Sequence, residues 1–174
     1  MRILKVIARL LDYPSPELFN AAPDLIQVVN EDSYITIDTK NRLVNFINQL
    51  TSRDIFDAQE TYDLLFDRGR SLSLLLFEHV HGESRDRGQA MVNLLDVYRG
   101  KGFEVESSQL PDYIPLYLEF LSEQKNDFAQ QWLGDICHLL AMLSERLIKR
   151  KNGYAILFNS LVQSCQDYPL TGLK

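Results

Sequence analysis

The sequence predicts an all-α protein with a single domain over residues 1–174. Its apolar residues recur at the three- and four-residue spacing of amphipathic helices, and no segment alternates cleanly over the length of a strand. Hydrophobic residues make up 45% of the chain and charged residues 24%, as in ordinary globular proteins. At 174 residues, a single core suffices. We therefore expect a bundle of about nine helices.

Two predicted helices at the start of the chain are separated by a proline. The first ends at Tyr13, because the residue before Pro14 is displaced from helical φ and ψ. The second begins at Ser15, a good N-cap followed by Pro16 at the first helical position. Pro23 is expected to kink it. The apolar stripes of the two helices consist of Ile3, Ile7, Leu10, Leu11, Leu18, Ala22, Leu25, Ile26 and Val29.

The third and fourth predicted helices are marked by polar residues that can cap their first turns. Asp38 is the predicted cap of the third helix, and the fourth opens at Thr51 or Asp54 and ends at Gly69. Their apolar faces carry Leu43, Phe46, Ile47, Leu50, Ala58, Tyr62, Leu65 and Phe66.

A helix over residues 71–80 would be apolar on almost every face, which predicts a central helix surrounded by the other helices. Gly82 ends this helix, and Ser84 is predicted to cap the next one. Three more helices follow. The apolar face of the helix after Ser84 carries Met91, Leu94, Leu95 and Tyr98, and that of the following helix carries Ile114, Tyr117, Leu118 and Leu121. The longest helix carries Trp132, Ile136, Leu139, Leu140, Leu143 and Leu147. The last helix carries Tyr154, Leu157, Phe158, Leu161, Val162 and Cys165.

Charge and cysteine content limit the classes of function. A formal charge of -6 argues against nucleic acid and favours a basic partner. Lys5 and Arg9 interrupt the apolar start, so neither a signal peptide nor a membrane span is expected and the protein is predicted to be cytoplasmic. Cys137 and Cys165 lack CxxC spacing, and we expect two buried thiols.

The stretch FEHVHGESRDRGQAM, residues 77–91, is the part of the chain richest in chemistry-bearing side chains. His79 and His81 would point about 200° apart on a helix, and the third histidine, His138, is distant in sequence. With no HExxH spacing and no nucleophile motif, we predict no metal, no cofactor and no catalytic residue. The alternative is a structural corner, in which Ser84 caps a helix and Glu83 pairs with Arg87.

Three segments carry a family resemblance. Residues 66–70, 73–91 and 110–119 resemble the signature of the NarJ-type assembly chaperones of respiratory nitrate reductase, which belong to the all-helical TorD/DmsD superfamily. The likeness extends over essentially the whole chain and is strongest from residue 65 to residue 121.

The resemblance implies a cytoplasmic protein that is not an enzyme. Its partner would be the apo catalytic (alpha) subunit of respiratory nitrate reductase, and above all the leader-like N-terminal segment of that subunit. Binding would keep the subunit competent for insertion of the molybdenum cofactor and delay its docking on the membrane subunit. Such relatives commonly continue with a charged tail, so this chain is either naturally short or a core without its C-terminal tail.

The superfamily's peptide-site motif, an acid, proline, any residue, aspartate and histidine, corresponds here to Gln109–Tyr113, in which Asp112 is retained and Tyr113 replaces the histidine. A receptor for a basic and apolar peptide needs an apolar groove with acids at its rim. We therefore predict a site in which the acids meet the basic end of the peptide and the aromatic rings line the apolar part. The predicted peptide-binding residues are Tyr62, Phe66, Asp112, Tyr113, Tyr117 and Glu119.

The remaining polar residues of the signature are assigned to the scaffold or to a recognition surface. They are Asp67, Arg68, Arg70, Glu78, His79, His81, Glu83, Arg85, Asp86 and Arg87. Three alternatives stay open: the predicted aromatic residues belong to the core, the protein is a helical adaptor for another basic peptide, or it is a metal-dependent enzyme that uses the region of His79 and His81.

Overall fold

A computed structural model describes residues 1–165, which form ten α-helices, one π-helical turn and no strand. The predicted all-α class is confirmed. The helices are α1 (Arg2–Leu11), α2 (Pro16–Asn20), α3 (Ala22–Glu31), α4 (Ile37–Thr51), α5 (Ile55–Tyr62), α6 (Leu76–Val80), α7 (Asp86–Gly100), α8 (Ile114–Ser122), α9 (Asn126–Lys149) and α10 (Ala155–Gln163), and the π-helical turn is Asp63–Asp67.

The centre of the bundle is formed by α1, α8, α9 and α10. Helix α1 packs along α8, and α10 packs along α9. Seven of the ten residues of α1 and seven of the nine residues of α8 are buried. The prediction of a central helix over residues 71–80 is wrong, because only Leu76–Val80 is helical and the residues before it form turns. Leu72 and Leu74 are buried without being helical. A short apolar run does not by itself distinguish a buried helix from a buried segment of another conformation.

The helix starts agree with the predicted caps at Ser15 and Asp54 and differ from the predictions at three other positions. The Ser15 hydroxyl accepts from Leu18 N, and the Asp54 carboxylate accepts from Phe56 N. At α7 the residue before the helix is Arg85, which makes no side-chain cap, and not the predicted Ser84. At α4 the cap is Thr36, and Asp38 lies in the first turn. Pro23 does not kink a continuous helix; it lies in the first turn of α3, where a missing N–H costs nothing, so the predicted second helix is split into α2 and α3.

Tyr98 connects α7 to the core through its ring and its hydroxyl group. The side chain is fully buried, its ring lies 4.6 Å from that of Phe120, and its hydroxyl donates to Pro111 O at 2.7 Å. Burial raises the pKa of Tyr98, so the hydroxyl remains a donor.

Replacing Tyr98 by phenylalanine is expected to lower the free energy of unfolding by about 1–2 kcal/mol, because the Pro111 carbonyl loses its buried donor. Urea unfolding followed by circular dichroism would measure the change. An unfolding midpoint equal to that of the wild type would show that this hydrogen bond contributes nothing.

The two cysteines depart from the expectation of free thiols. Both side chains are buried, and a disulfide joins Cys137 of α9 to Cys165, which follows α10. Their Cα atoms lie 6.7 Å apart, within the range that a disulfide spans. The packing of α9 against α10 brings together two residues that are 28 positions apart in sequence.

No helix within residues 1–165 combines the length and the apolar character needed to cross a bilayer.

Candidate functional site

A short antiparallel bridge brings together two of the three segments that carry the family resemblance, residues 73–91 and 110–119. Leu75 pairs with Tyr113, Leu76 N donates to Asp112 O at 3.0 Å, and Ile114 N donates to Leu74 O at 2.7 Å. The start of α6 and the start of α8 are thereby held side by side, although about 35 residues separate them in sequence.

Asp112 is a structural residue of this junction. Its side chain is 0% exposed, and its Oδ2 accepts from Phe77 N at 3.0 Å. Helix α6 has no side-chain cap of its own, so Asp112 provides the cap from a distant part of the chain. Burial raises the pKa of Asp112, and the Phe77 N–H and the charge of Arg87 oppose that shift. The predicted position at a groove rim does not agree with this burial.

Tyr117 is also placed inside the protein. Its side chain is buried, and its hydroxyl donates to Trp132 O at 2.8 Å. The residue therefore packs between α8 and α9 and does not line the cavity described next.

Four aromatic rings line a cavity of ≈ 410 Å³, which we call the aromatic cleft. Tyr62 and Phe66 are buried and form its floor, whereas Tyr13 is 44% exposed and Tyr113 is half-buried. The rings of Tyr13 and Tyr62 meet edge to face at 5.6 Å. The remaining lining residues of the cleft are Asp67, Gly69, Ser73, Leu74, Leu75 and Glu78. The structure thus brings together three of the six predicted residues, Tyr62, Phe66 and Tyr113.

Tyr13 is a cleft residue that the sequence analysis missed. The signal for it was present, because Pro14 ends the helical conformation and leaves an aromatic residue at the end of α1. What the pattern could not show is that α1 ends beside α5.

The π-helical turn Asp63–Asp67 carries two acids, of which Asp67 lines the edge of the aromatic cleft. Single π-helical turns within helices are frequent at functional sites. Burial, together with a hydrogen bond to Asp63 and the charge of Asp63, raises the pKa of Asp67. Because the two carboxyl groups repel each other when both are ionised, a cation bound at this edge would be favoured.

The hydroxyl groups of Tyr62 and Tyr113 have fewer protons than contacts. Tyr62 donates to Leu11 O at 2.7 Å, and Tyr113 donates to Asp12 Oδ1 at 3.1 Å. The two hydroxyl oxygens lie 3.1 Å apart, and either can donate to the other, so two protons serve three contacts and each oxygen accepts at most one of them. Lone pairs of both oxygens therefore remain available to a donor.

Glu119 lies on the other side of Tyr113, in a second cavity of ≈ 310 Å³. Lys5, Arg9 and Asp12 also line this cavity, which therefore has charges of both signs. Tyr113 borders both cavities, so the predicted Glu119 is adjacent to the aromatic cleft without belonging to it.

The histidines of the signature stabilise the loop before α6. His79 Nε2 donates to Ser73 O at 2.8 Å, and the ring of His81 packs against Phe77 at 5.5 Å. Within residues 1–165, no group of three or more potential metal-ligating side chains lies together.

The charged residues of the signature pair differently from the prediction. Glu83 binds Arg70 at 2.8 Å, and Arg87 binds Glu78 at 3.7 Å, so the expected pair of Glu83 with Arg87 does not form. The Ser84 hydroxyl accepts from Asp86 N, which agrees with a structural corner. The other charged residues of the signature, Asp67, Arg68, Arg85 and Asp86, are exposed.

Comparison with known proteins gives concordant results. Residues 36–158 match the family model described as nitrate reductase delta subunit. The chain is 45% identical to the nitrate reductase molybdenum cofactor assembly chaperone NarJ of Escherichia coli K12, over 92% of this chain and 68% of that protein. It is 42% identical to the probable assembly chaperone NarW of the same organism, over 94% of this chain and 68% of that protein.

Comparison with solved structures supports the fold. A putative redox enzyme maturation protein from Archaeoglobus fulgidus superposes with a TM-score of 0.67, covering 94% of this chain and 92% of that one, at 20% sequence identity. The likeness supports the all-helical architecture described above.

Proposed function

The chain belongs to the nitrate reductase delta subunit family, the NarJ-type assembly chaperones, and we propose that it binds the apo catalytic subunit of respiratory nitrate reductase through that subunit's N-terminal segment. Binding would take place in the cytoplasm and keep the subunit competent for molybdenum cofactor insertion before it docks at the membrane. The protein itself would perform no reaction.

The aromatic cleft is the observation that supports this proposal best. A leader-like segment combines apolar side chains with basic ones. Tyr13, Tyr62, Phe66 and Tyr113 provide rings for the apolar part. Aromatic residues contribute strongly to binding because they bury a large area with few torsions to order.

The edges of the aromatic cleft favour a basic ligand. Asp67 and Glu78 line the cleft, and each hydroxyl oxygen of Tyr62 and Tyr113 keeps at least one lone pair that accepts no hydrogen bond. Lysine and arginine carry only donors, so their side chains match a surface of acceptors. The rim charges would contribute mainly orientation and association rate, and the rings most of the affinity.

Isothermal titration of the chain with a peptide from the N-terminus of the catalytic subunit of its own nitrate reductase would test the proposal. We expect a dissociation constant in the micromolar range or below, which corresponds to about -8 kcal/mol or better. A scrambled peptide of equal length and charge is the control, and we expect it to bind at least about tenfold more weakly, a difference of about 1.4 kcal/mol.

Two other outcomes would contradict the proposal. Equal affinity for both peptides would indicate an adaptor for basic peptides in general. No binding of either peptide would show that the N-terminal segment is not the ligand, and recognition would then involve another part of the subunit or another client.

A further inference from the structure

Tyr154, which precedes α10, has a buried hydroxyl group without a partner. Tyr154 is only 5% exposed. Its ring packs edge to face against Phe46 at 5.0 Å and Phe66 at 5.1 Å. The hydroxyl has no hydrogen-bond partner among residues 1–165. The buried hydroxyls of Tyr62 and Tyr98 each donate to a backbone carbonyl. An unpaired buried donor costs free energy, so this exception needs an explanation.

Tyr154 lines a small surface cavity of ≈ 170 Å³, which we call the Tyr154 cavity, and the charge of Arg53, which lines the same cavity, acts on its hydroxyl. Its polar lining consists of Gln49, Arg53, Thr61 and Asn152 besides Tyr154, and it includes no carboxylate. Arg53 donates to Thr61 Oγ1 at 2.9 Å and to Asp57 O at 3.3 Å, and it forms no ion pair within residues 1–165. The cavity therefore combines a cation that has no ion pair with a buried hydroxyl that lacks an acceptor.

Two details indicate which sign of charge the cavity favours. Burial raises the pKa of Tyr154 to about 12, and the charge of Arg53 opposes that shift, so the hydroxyl keeps its proton and can only gain by donating it. Asn152 Oδ1 accepts from Tyr154 N at 2.9 Å, which leaves the amide Nδ2 of Asn152 as a further donor.

We propose that the Tyr154 cavity is a binding site for a carboxylate group, with the Tyr154 hydroxyl and the Arg53 guanidinium as its hydrogen-bond donors. Hydrogen bonds from these groups to a carboxylate are charge-assisted and short. The volume is below that of sites for drug-sized ligands, so the cavity fits an acidic side chain or a small free carboxylate. This site is separate from the aromatic cleft and does not depend on the proposed function.

The first test concerns the protein without ligand. Replacing Tyr154 by phenylalanine removes the hydroxyl and keeps the ring, so we expect an unfolding midpoint in urea equal to or above that of the wild type. Tyr98→Phe, which removes a paired hydroxyl, is the matched comparison and should lower the midpoint. A loss for Tyr154→Phe as large as that for Tyr98→Phe would show that the Tyr154 hydroxyl has a structural partner and would overturn the proposal.

The second test uses N-acetyl-glutamate N-methylamide as the probe and N-acetyl-glutamine N-methylamide as its uncharged control. Nuclear magnetic resonance titration should show saturable shifts of the Asn152 and Gly153 amides with the carboxylate probe alone. We expect Tyr154→Phe and Arg53→Gln each to weaken binding by about tenfold or more, since a hydrogen bond to a charged group is lost. Arg42→Gln, which removes an exposed arginine of α4 outside the cavity, should leave the affinity within about twofold, as surface changes away from the site usually do.

Equal shifts with both probes, or unchanged affinity in Tyr154→Phe, would overturn the proposal. Acetate, titrated in parallel, separates the two sources of the carboxylate. Acetate binding as tightly as the glutamate probe would identify a small free carboxylate as the ligand. Clearly tighter binding of the glutamate probe would identify an acidic side chain, and both results support a carboxylate site.

Discussion

Replacing Asp112 by alanine is expected to lower the free energy of unfolding by about 2–3 kcal/mol. The carboxylate is fully buried and provides the cap of α6 through its contact with Phe77 N. Alanine would leave that N–H buried without an acceptor and a small void beside it. Urea unfolding of both proteins at neutral pH measures the difference. A loss below about 0.5 kcal/mol, typical of exposed positions, would contradict the structural role assigned to Asp112.

Replacing Asp112 by asparagine should preserve the hydrogen bond that alanine removes, because the side-chain oxygen of asparagine can still accept from Phe77 N. Burial raises the pKa of Asp112 above its ordinary value of 3.8. For a carboxyl group whose pKa is raised on folding, the stabilising contribution is fully present below the unfolded value and is lost as the pH rises through the folded value. The asparagine variant has no such loss, because its amide does not titrate.

The stability of Asp112→Asn relative to the wild type is therefore expected to increase as the pH is raised from about 4 to 8. Urea unfolding of both proteins across this range measures the difference, in which the titration of other groups cancels. A difference that does not change with pH would show that the pKa of Asp112 is the same in the folded and unfolded states.

Replacing Tyr13 by alanine is expected to weaken binding of the N-terminal peptide by about tenfold or more, equivalent to about 1.4 kcal/mol. Tyr13 provides an exposed wall of the aromatic cleft, against the ring of Tyr62. Because the side chain is 44% exposed, the stability of the free protein should change little. Isothermal titration with the same peptide gives the affinity, and urea unfolding checks the fold.

Phe56→Ala is the matched control for Tyr13→Ala. Phe56 is an aromatic residue of α5 that is 75% exposed and does not line the aromatic cleft. Its removal should leave the peptide affinity within about twofold. If Phe56→Ala weakened binding as much as Tyr13→Ala, the peptide would bind to a broader surface than the cleft. If neither variant changed the affinity, the cleft would not be the peptide site.

Local signals in the sequence predicted most of the helices, and they failed where a distant contact determines the conformation. The hydroxyl of Ser15 and the carboxylate of Asp54 cap the helices that follow them directly, so short-range chemistry was enough. At α4 two polar residues stand close together, and Thr36 rather than Asp38 makes the contact. The preceding conformation of the chain determines that choice.

The candidate site was only partly predictable for a related reason. Tyr62, Phe66 and Tyr113 carried the aromatic character expected of a peptide groove, and they do lie together. Asp112 and Tyr117 carried the same signals, yet neither lines the cleft, because Asp112 caps α6 and Tyr117 packs between α8 and α9. Residue type and helical spacing do not show which face of a helix another helix covers.

The sequence by itself determined the all-α class, the approximate helix limits and the family, because apolar periodicity, caps and contiguous motifs are local properties of the chain. Only the tertiary structure decided that residues 71–75 are not helical, that Asp112 caps α6 and that Cys137 meets Cys165. Each of these features depends on two segments at least 28 residues apart, and their proximity arises only when the helices pack around one core.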